Sequence, residues 1–111
     1  MLLLGIDLGS SSVKVSVVDG ETGRTLSAAS YPPVEMEISA PVPGWAEQNP
    51  EEWWKNFTLA LAACLEPLGK KRNDIGAIGI SYQMHGLVVV YKNKTVLSPS
   101  IIWCDRRAVQ I

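Results

Sequence analysis

Short apolar segments with alternating polarity open the chain. Leu2–Leu8 is almost entirely apolar, and in Val13–Asp19 valines alternate with polar side chains. Alternation with a period of two predicts half-buried β-strands, and a third strand is predicted over Arg24–Tyr31. Since the connections are too short for a crossover helix, the three strands are predicted to form an antiparallel meander.

A helix with a strong start follows a proline-containing loop. Asn49 is a favourable N-cap, Pro50 suits the first helical position, and Glu52 stands at the spacing of a capping box. Apolar residues at helical spacing predict one buried face, formed by Trp53, Phe57, Leu61, Cys64, Leu65 and Leu68. Pro67 predicts that the helix ends near Glu66.

The second half of the chain begins with a segment that is apolar on both faces. Asp74–Ser81 therefore predicts a central strand, covered on both sides of a sheet. Further strands are predicted at Leu87–Tyr91, Thr95–Leu97 and Ser100–Trp103, and a helix capped by Asp105 follows them. Three antiparallel strands, a helix and a buried strand fit an α/β core of the ribonuclease H type.

Composition excludes several classes of protein. The 111 residues, 47 % of them hydrophobic, are enough for one small core. Ten basic and 11 acidic residues give a formal net charge of −1 without a basic stripe, so nucleic acid is not a predicted partner. The apolar runs are too short for a membrane span. Two cysteines without metal-binding spacing, and no recognisable signal peptide, predict a reduced, cytoplasmic protein.

Polar and small residues between Asp7 and Lys14 form the first predicted hairpin turn. Gly9 permits close approach of a bulky ligand, and successive N–H groups at Ser10, Ser11 and Ser12 can form a cup for an anion. Asp7 would repel a phosphate directly, so its predicted role is to hold Mg²⁺, through water. These residues predict a nucleotide phosphate site. The alternative is an ordinary hairpin turn, since Asp, Gly and Ser all favour turns.

A second polar segment, Gln83–Gly86, follows the predicted buried strand. In open α/β sheets, ligands tend to lie beyond the carboxyl ends of strands. Gln83 and His85, the only histidine of the chain, can hydrogen-bond to hydroxyls, and Met84 offers an apolar wall. Gly86 allows an unusual backbone angle. This mixture suits a polyol, and the alternative is a polar turn with an exposed histidine.

Trp103 ends another predicted strand, beside Asp105, Arg106 and Arg107. An indole face packs well against the C–H face of a sugar, and the alternative is an ordinary core tryptophan. Arginines at the start of a helix oppose the helix dipole, which favours a specific partner for one of them.

Four segments, in this order and spacing, are similar to motifs of one protein family. They are Gly5–Lys14, Pro43–Trp54, Gly79–Gly86 and Ile101–Arg107. The first resembles the phosphate motif of the sugar kinase, actin and heat-shock ATPase superfamily, and together they resemble the amino-terminal portion of the FGGY carbohydrate kinases. Gln-Met-His-Gly points to the xylulokinase branch, because glycerol kinases normally carry Arg-Glu in place of Met84 and His85.

The resemblance implies an actin-like ATPase fold and an enzyme of two lobes. Residues 1–111 would be the amino-terminal part of the first lobe, with the rest of that lobe and the second lobe absent from the chain. Such an enzyme transfers the γ-phosphoryl group of ATP, with Mg²⁺, to a sugar hydroxyl, here converting D-xylulose to D-xylulose 5-phosphate. Another polyol, ketose or gluconate is the alternative substrate, and a non-catalytic actin-like nucleotide-binding module is the alternative function. The complete enzyme is expected to be a homodimer.

The same resemblance assigns roles to individual residues. Asp7 helps to hold Mg²⁺ and the phosphates, the phosphate cup is lined by Gly9, Ser10, Ser11, Ser12 and Lys14, and the sugar is contacted by Gln83, Met84, His85 and Trp103. The family's catalytic aspartate belongs to a Gly-Gly-x-Asp-Asn-type segment, which this sequence does not contain. We therefore expect the chain to be a fragment, inactive alone, with apolar surface exposed at the strand Ile75–Ser81.

Overall fold

A four-stranded mixed sheet with one helix across it forms the body of the chain. The computed structural model describes residues 1–110 and the side chains of residues 1–109. The strands are β1 (Leu2–Leu8), β2 (Val13–Asp19), β3 (Thr25–Tyr31), β4 (Glu47–Gln48), β5 (Ile75–Tyr82) and β6 (Ser100–Ile101). The helix α1 spans Pro50–Leu65, and 3₁₀ helices span Glu66–Asp74 and Arg107–Gln110.

The strand order of the main sheet is β3-β2-β1-β5. β1 pairs antiparallel with β2, and β2 with β3, which confirms the predicted meander. After the crossover through α1, β5 returns parallel to β1. This β-β-β-α-β order confirms the predicted α/β class. β4 and β6 form a separate antiparallel pair.

The core lies between one face of the sheet and α1. It is formed by the buried residues Leu2, Leu4, Val15, Val17, Ala60, Cys64 and Leu68. Because successive side chains of a strand point to opposite faces, the apolar rows of β1 and β2 meet the helix while their polar and small residues face away from it. The buried Cys64 confirms the expectation of a small core hydrophobe.

The predicted start of α1 is confirmed, and most of its predicted apolar face lies in or against the core, but the most buried positions of the helix include two that the prediction left out. Asn49 Oδ1 accepts from the Glu51 N–H at 3.0 Å, so the cap bond reaches the second helical residue. The most buried residues of the helix are Asn56, Ala60 and Cys64, which are four apart, whereas Phe57 only borders the core. The small side chain of Ala60 lets the helix approach β2 and β3 closely. The prediction was based mainly on the spacing of large apolar residues, and so it left Ala60 out.

Within residues 1–110, β5 is not the central, covered strand that its apolar pattern predicts, whereas the expectation that a fragment exposes apolar surface at this strand is confirmed. β5 is the edge of the sheet, and its side chains Ile78, Ile80 and Tyr82 are 62 %, 64 % and 70 % exposed. Their register with Leu4, Ile6 and Leu8 places them on the side of the sheet that carries α1. Because α1 packs on β2 and β3, nothing within residues 1–110 covers them.

Predicted strands at Leu87–Tyr91 and Thr95–Leu97 are present only as single bridges. Val90 bridges Val96, and Leu87 bridges Ile101. Val88, Val89 and Val90 of this hairpin are 38 % to 49 % exposed, so no buried face extends the pairing into a ladder. The last helical segment is a 3₁₀ helix that begins at Arg107, one residue later than predicted, and Asp105 Oδ1 accepts from the N–H of this first residue at 2.9 Å. Residue 111, which the prediction placed within the first turns of this helix, lies outside the described residues.

Candidate functional site

The two polar segments singled out in the sequence meet at one edge of the sheet. β1 and β5 are parallel, so their carboxyl ends lie side by side, with Asp7 opposite Ser81. The Gln83 N–H donates to the Leu8 carbonyl at 2.9 Å, which holds Gln83–Gly86 against the turn that follows β1. Sequence reasoning placed both segments at strand ends, and the parallel pairing makes them neighbours.

The turn at residues 9–12 directs its carbonyl groups into the protein. The Ser12 carbonyl accepts from the Gly9 N–H at 3.1 Å, and the Ser11 carbonyl accepts from the Met36 N–H at 2.8 Å. The Ser10 carbonyl accepts from Gln48 Nε2 at 2.6 Å. Within residues 1–110, the N–H groups of Ser10, Ser11 and Ser12 have no protein acceptor. The carbonyl groups of the turn are therefore hydrogen-bonded within the protein, while the serine N–H groups remain available as donors. This is the arrangement that binding of an anion requires.

Gly9 is required by the turn itself. A Cβ at this position would lie 2.9 Å from the Ser12 carbonyl oxygen, which is fixed by its own hydrogen bond. The sequence suggested that Gly9 serves close ligand approach, and the structure supplies a reason within the loop. Gly86, which could allow an unusual backbone angle, does not have a positive φ, whereas the neighbouring His85 does, with φ of 62°.

Two rows of small and charged side chains cross the open face of the sheet. One row consists of Ala28, Ser16, Gly5 and Gly79, and the next of Ser30, Lys14, Asp7 and Ser81. The small side chains leave an open depression of about 780 Å³ in which Asp7 and Lys14 are the charged lining residues. Sequence reasoning missed this depression, because only the register of β3 and β5 aligns the small residues.

Asp7 and Lys14 are exposed neighbours on adjacent strands. The ion pairs found among residues 1–109 involve Arg107, so neither Asp7 nor Lys14 is engaged in one within 4 Å. No cluster of three His, Cys, Asp or Glu side chains in the described part of the chain could hold a metal ion. Asp7 is thus a single carboxylate, available to a ligand that brings its own oxygen atoms.

Gln83 carries buried hydrogen-bonding capacity beside the turn. Its Oε1 and Nε2 atoms are both buried and have no partner among the described residues. A buried amide without partners costs stability, so such a group is a strong candidate for contact with a ligand or ordered water. Met84 is 68 % exposed and His85 is exposed as well.

Trp103 is not a core residue. Its side chain is 57 % exposed, and its Nε1–H donates to Ser10 Oγ at 3.3 Å. This bond brings the third sequence-predicted element to the turn at residues 9–12. The structure therefore gathers the turn, Gln83 and Trp103 at one place, although they are separated by up to 93 positions in sequence.

Gln48 is a site residue to which the sequence gave no role. It is 5 % exposed, and its Oε1 accepts from Trp53 Nε1 at 3.0 Å while its Nε2 holds the Ser10 carbonyl. Its position within the Pro43–Trp54 motif was the signal that the sequence offered. Its contact to the turn depends on β4, which periodicity does not predict.

A network around Arg107 lies next to Trp103. The guanidinium makes two-pronged hydrogen bonds to Asp105, with Nε to Oδ1 at 2.9 Å and Nη2 to Oδ2 at 2.7 Å. It also lies 3.3 Å from Glu47 Oε2 and 3.8 Å from the ring centre of Trp45. One of the two arginines thus has the specific partner that its position predicted.

The Asp105 carboxylate should make stability depend on acid pH. Hydrogen bonds from the Arg107 side chain, and then from the backbone of Ala46 and Arg107, hold the pKa of Asp105 well below its usual value. Its contribution is therefore fully present above about pH 4, the usual pKa, and is lost as pH falls below that value. We expect the stability difference between wild type and Asp105→Asn, measured by urea unfolding, to shrink in acid. An equal difference at neutral and acid pH would contradict this.

No helix within residues 1–110 combines the length and apolar character that crossing a bilayer requires.

Comparison with known proteins identifies relatives along the whole chain. A family model described as the N-terminal domain of the FGGY family of carbohydrate kinases matches residues 2–111. The chain is 38 % identical over 111 residues to a xylulose kinase of Escherichia coli K12, covering 98 % of this chain and 21 % of that protein. It is 36 % identical over 108 residues to an L-xylulose/3-keto-L-gulonate kinase of the same organism, covering 97 % and 21 %.

Solved structures give the same result. The crystal structure of a xyloylose kinase from Brucella ovis matches with a TM-score of 0.90 at 37 % identity, covering 99 % of this chain and 22 % of that chain. The chain spans about one fifth of the length of the curated relatives it matches.

Proposed function

The chain belongs to the FGGY family of carbohydrate kinases, and we propose that the protein carrying it transfers the γ-phosphoryl group of ATP to a hydroxyl of D-xylulose. The observation that carries this proposal is the turn after β1. Its carbonyl groups are engaged by Gly9, Met36 and Gln48, and its serine N–H groups are free of protein acceptors among residues 1–110. The chain's similarity to a xylulose kinase supports the choice of sugar.

The turn at residues 9–12, here called the serine turn, forms the phosphate half of the proposed site together with Lys14. The N–H groups of Ser10, Ser11 and Ser12 would donate to phosphate oxygens, and Lys14, which is exposed, adds a positive charge from the adjacent strand. Phosphoryl transfer depends on such positioning and on neutralising charge that builds up on the phosphate oxygens. Gly9 acts indirectly, because it permits the closed form of the turn.

Asp7 is the residue that would hold Mg²⁺. Its carboxylate is exposed at the carboxyl end of β1 and has no ion-pair partner within the described residues. A single carboxylate fits this cation, since Mg²⁺ usually keeps several waters and is bound by one or two carboxylates together with substrate phosphates. The bound cation would neutralise phosphate charge, and Asp7 would set its place relative to the turn.

The sugar half of the proposed site consists of Gln83, Met84, His85 and Trp103. The buried amide of Gln83 has one acceptor and one donor group without partners, which suits a substrate hydroxyl. Met84 and the exposed Trp103 ring would pack on the carbon skeleton, and His85 would bind a further hydroxyl. A site that hydrogen-bonds substrate hydroxyls rejects analogues that lack them.

A related ketose or polyol is the second candidate substrate. The L-xylulose/3-keto-L-gulonate kinase is nearly as similar to this chain as the xylulose kinase, at 36 % against 38 % identity. The residues of this chain therefore favour the substrate class more strongly than one sugar.

A cytoplasmic homodimer is the form that we propose for the complete protein.

The test is a substrate panel on the complete product of the gene that encodes this chain. ADP release would be measured with D-xylulose, L-xylulose, ribitol, D-gluconate and glycerol. We expect kcat/KM to be at least about tenfold higher for D-xylulose than for any other compound of the panel. A higher value for another ketose or polyol would support the second candidate. Mg-ADP binding without phosphorylation of any sugar would instead support a non-catalytic nucleotide-binding module.

Residues 1–111 alone are expected to show no sugar kinase activity. They contain Asp7 and the serine turn but not the Gly-Gly-x-Asp-Asn-type segment in which the family's catalytic base lies. The measurement is sugar-dependent ADP release from the purified 111-residue chain. Robust release would show that a base within these residues suffices.

A further inference from the structure

Arg107 contacts none of the residues assigned to phosphate or sugar, yet its hydrogen bonds lead to both. We propose that Arg107 is a positioning residue, which fixes Trp103 against the serine turn and thereby sets the distance between sugar and phosphate. This inference rests on the proposed function, because it assigns a role to Trp103 in sugar binding.

The guanidinium of Arg107 contacts three side chains. Asp105 accepts two parallel hydrogen bonds from Nε and Nη2 of the guanidinium. Glu47 Oε2 lies 3.3 Å from Nη2, and the centre of the Trp45 ring lies 3.8 Å from Cζ. The Arg107 side chain is 24 % exposed and that of Asp105 only 4 %. The cation–π contact with Trp45 and the forked hydrogen bond to Asp105 together define one orientation, which a lysine cannot reproduce.

Asp105 passes this orientation to the backbone around Trp103. Its Oδ2 accepts from the Ala46 N–H at 2.7 Å, and the Ala46 carbonyl accepts from the Ile102 N–H at 3.1 Å. The Asp105 N–H donates to the Ile102 carbonyl at 3.0 Å. Trp103 therefore lies in a tight turn whose two ends, Ile102 and Asp105, are both fastened to Ala46.

Both sides of this network reach Ser10. Trp103 donates to the Ser10 hydroxyl at 3.3 Å, and Gln48, which follows Glu47 directly, donates to the Ser10 carbonyl at 2.6 Å. Trp103 is 57 % exposed, so its packing within residues 1–109 is limited. The position of its ring then depends mainly on the turn that Asp105 and Arg107 hold.

Arg106 provides a matched control. It is an exposed neighbour of the same charge, and within the described residues its side chain makes no hydrogen bond or ion pair. Its hydrogen bonds are made by the backbone: the N–H donates to the Gly44 carbonyl at 2.7 Å, and the carbonyl accepts from the Val109 N–H at 3.1 Å. Arg106→Met removes one positive charge next to the network and leaves the network intact.

The experiment compares Arg107→Met, Arg107→Lys and Arg106→Met in the complete gene product, with kcat and KM measured separately for sugar and ATP. We expect Arg107→Met to lower kcat/KM for the sugar about 100-fold, since displacements near 1 Å have effects of that size. Arg107→Lys should recover little of this loss, and Arg106→Met should stay close to wild type. Wild-type kinetics in folded Arg107→Met or Arg107→Lys would overturn the inference.

A double-mutant cycle separates positioning from general stability. If Arg107 acts through Trp103, then Arg107→Met should cost much less in a Trp103→Phe background than in wild type. Equal losses in the two backgrounds would show that Arg107 supports the fold and does not position Trp103.

A second readout does not need catalysis. The protein would be labelled with 5-fluorotryptophan, and the ¹⁹F resonance of Trp103 assigned through Trp103→Phe. We expect Arg107→Met and Arg107→Lys to shift or broaden this resonance, whereas Arg106→Met leaves it in place. If wild type phosphorylates no sugar, the proposed function fails, and this resonance still decides the positioning of Trp103. An unchanged resonance in both Arg107 variants would refute that positioning.

Discussion

Asp7→Ala is expected to lower kcat of the complete gene product by about 100-fold to 1,000-fold, the size of effect seen when one preorganised electrostatic group is removed from an active site. Asp7 is exposed at the carboxyl end of β1, beside the serine turn and opposite Lys14. Without its carboxylate, Mg²⁺ would lose its protein ligand next to the phosphates. The measurement is kcat over a range of Mg²⁺ concentrations, together with urea unfolding.

Asp74→Ala is the matched control for that prediction. Asp74 is also an exposed aspartate, but it precedes Ile75, which pairs with Leu2 at the opposite end of β1. We expect both variants to stay within about 0.5 kcal/mol of wild-type stability, as surface substitutions usually do. A kcat for Asp7→Ala within a few-fold of the Asp74→Ala value would remove Asp7 from the proposed site.

Gly9→Ala is expected to destabilise the chain by about 1–3 kcal/mol, because a Cβ would lie 2.9 Å from the Ser12 carbonyl oxygen. That oxygen is backbone, and it accepts the Gly9 N–H at 3.1 Å, so the clash can be relieved only by opening the turn. Opening the turn would also disperse the serine N–H groups. We therefore expect weaker nucleotide binding, measured by calorimetry, beside the loss of stability in urea.

Gly79→Ala tests whether the effect is specific to the turn. Gly79 lies on β5 and has no atom within 4 Å of the position of an added Cβ. An alanine there is expected to change stability by no more than about 0.5 kcal/mol. If Gly9→Ala were as mild as Gly79→Ala, the turn would be more compliant than its geometry indicates.

Much of the fold could be predicted from local pattern. The bounds of β1 and β2 agree with the prediction, and α1 begins after Asn49 as its capping chemistry requires. Membership of the FGGY family and the actin-like ATPase fold are confirmed, and they followed from four motifs in their order. The roles of the site residues stay predictions, since their test is functional.

The exposure of β5 shows the limit of pattern. Its apolar, small and branched residues are typical of a strand covered on both faces, but Ile78 and Ile80 are exposed within residues 1–110, as expected of a fragment. Coverage depends on where α1 packs, and α1 lies over β2 and β3. The residues of one strand do not show whether the helix packs on that strand or on its neighbours in the sheet.

By itself, the sequence determined the elements and the chemical groups available to them, because hydrophobic period, capping residues and turn residues act over a few positions. Only the tertiary structure decided which groups meet. The parallel pairing of β1 with β5 brings Gln83 to the Leu8 carbonyl, and the Arg107 network brings Trp103 to Ser10. Such contacts join residues up to 93 positions apart, and they arise from register and packing, which short-range patterns do not encode.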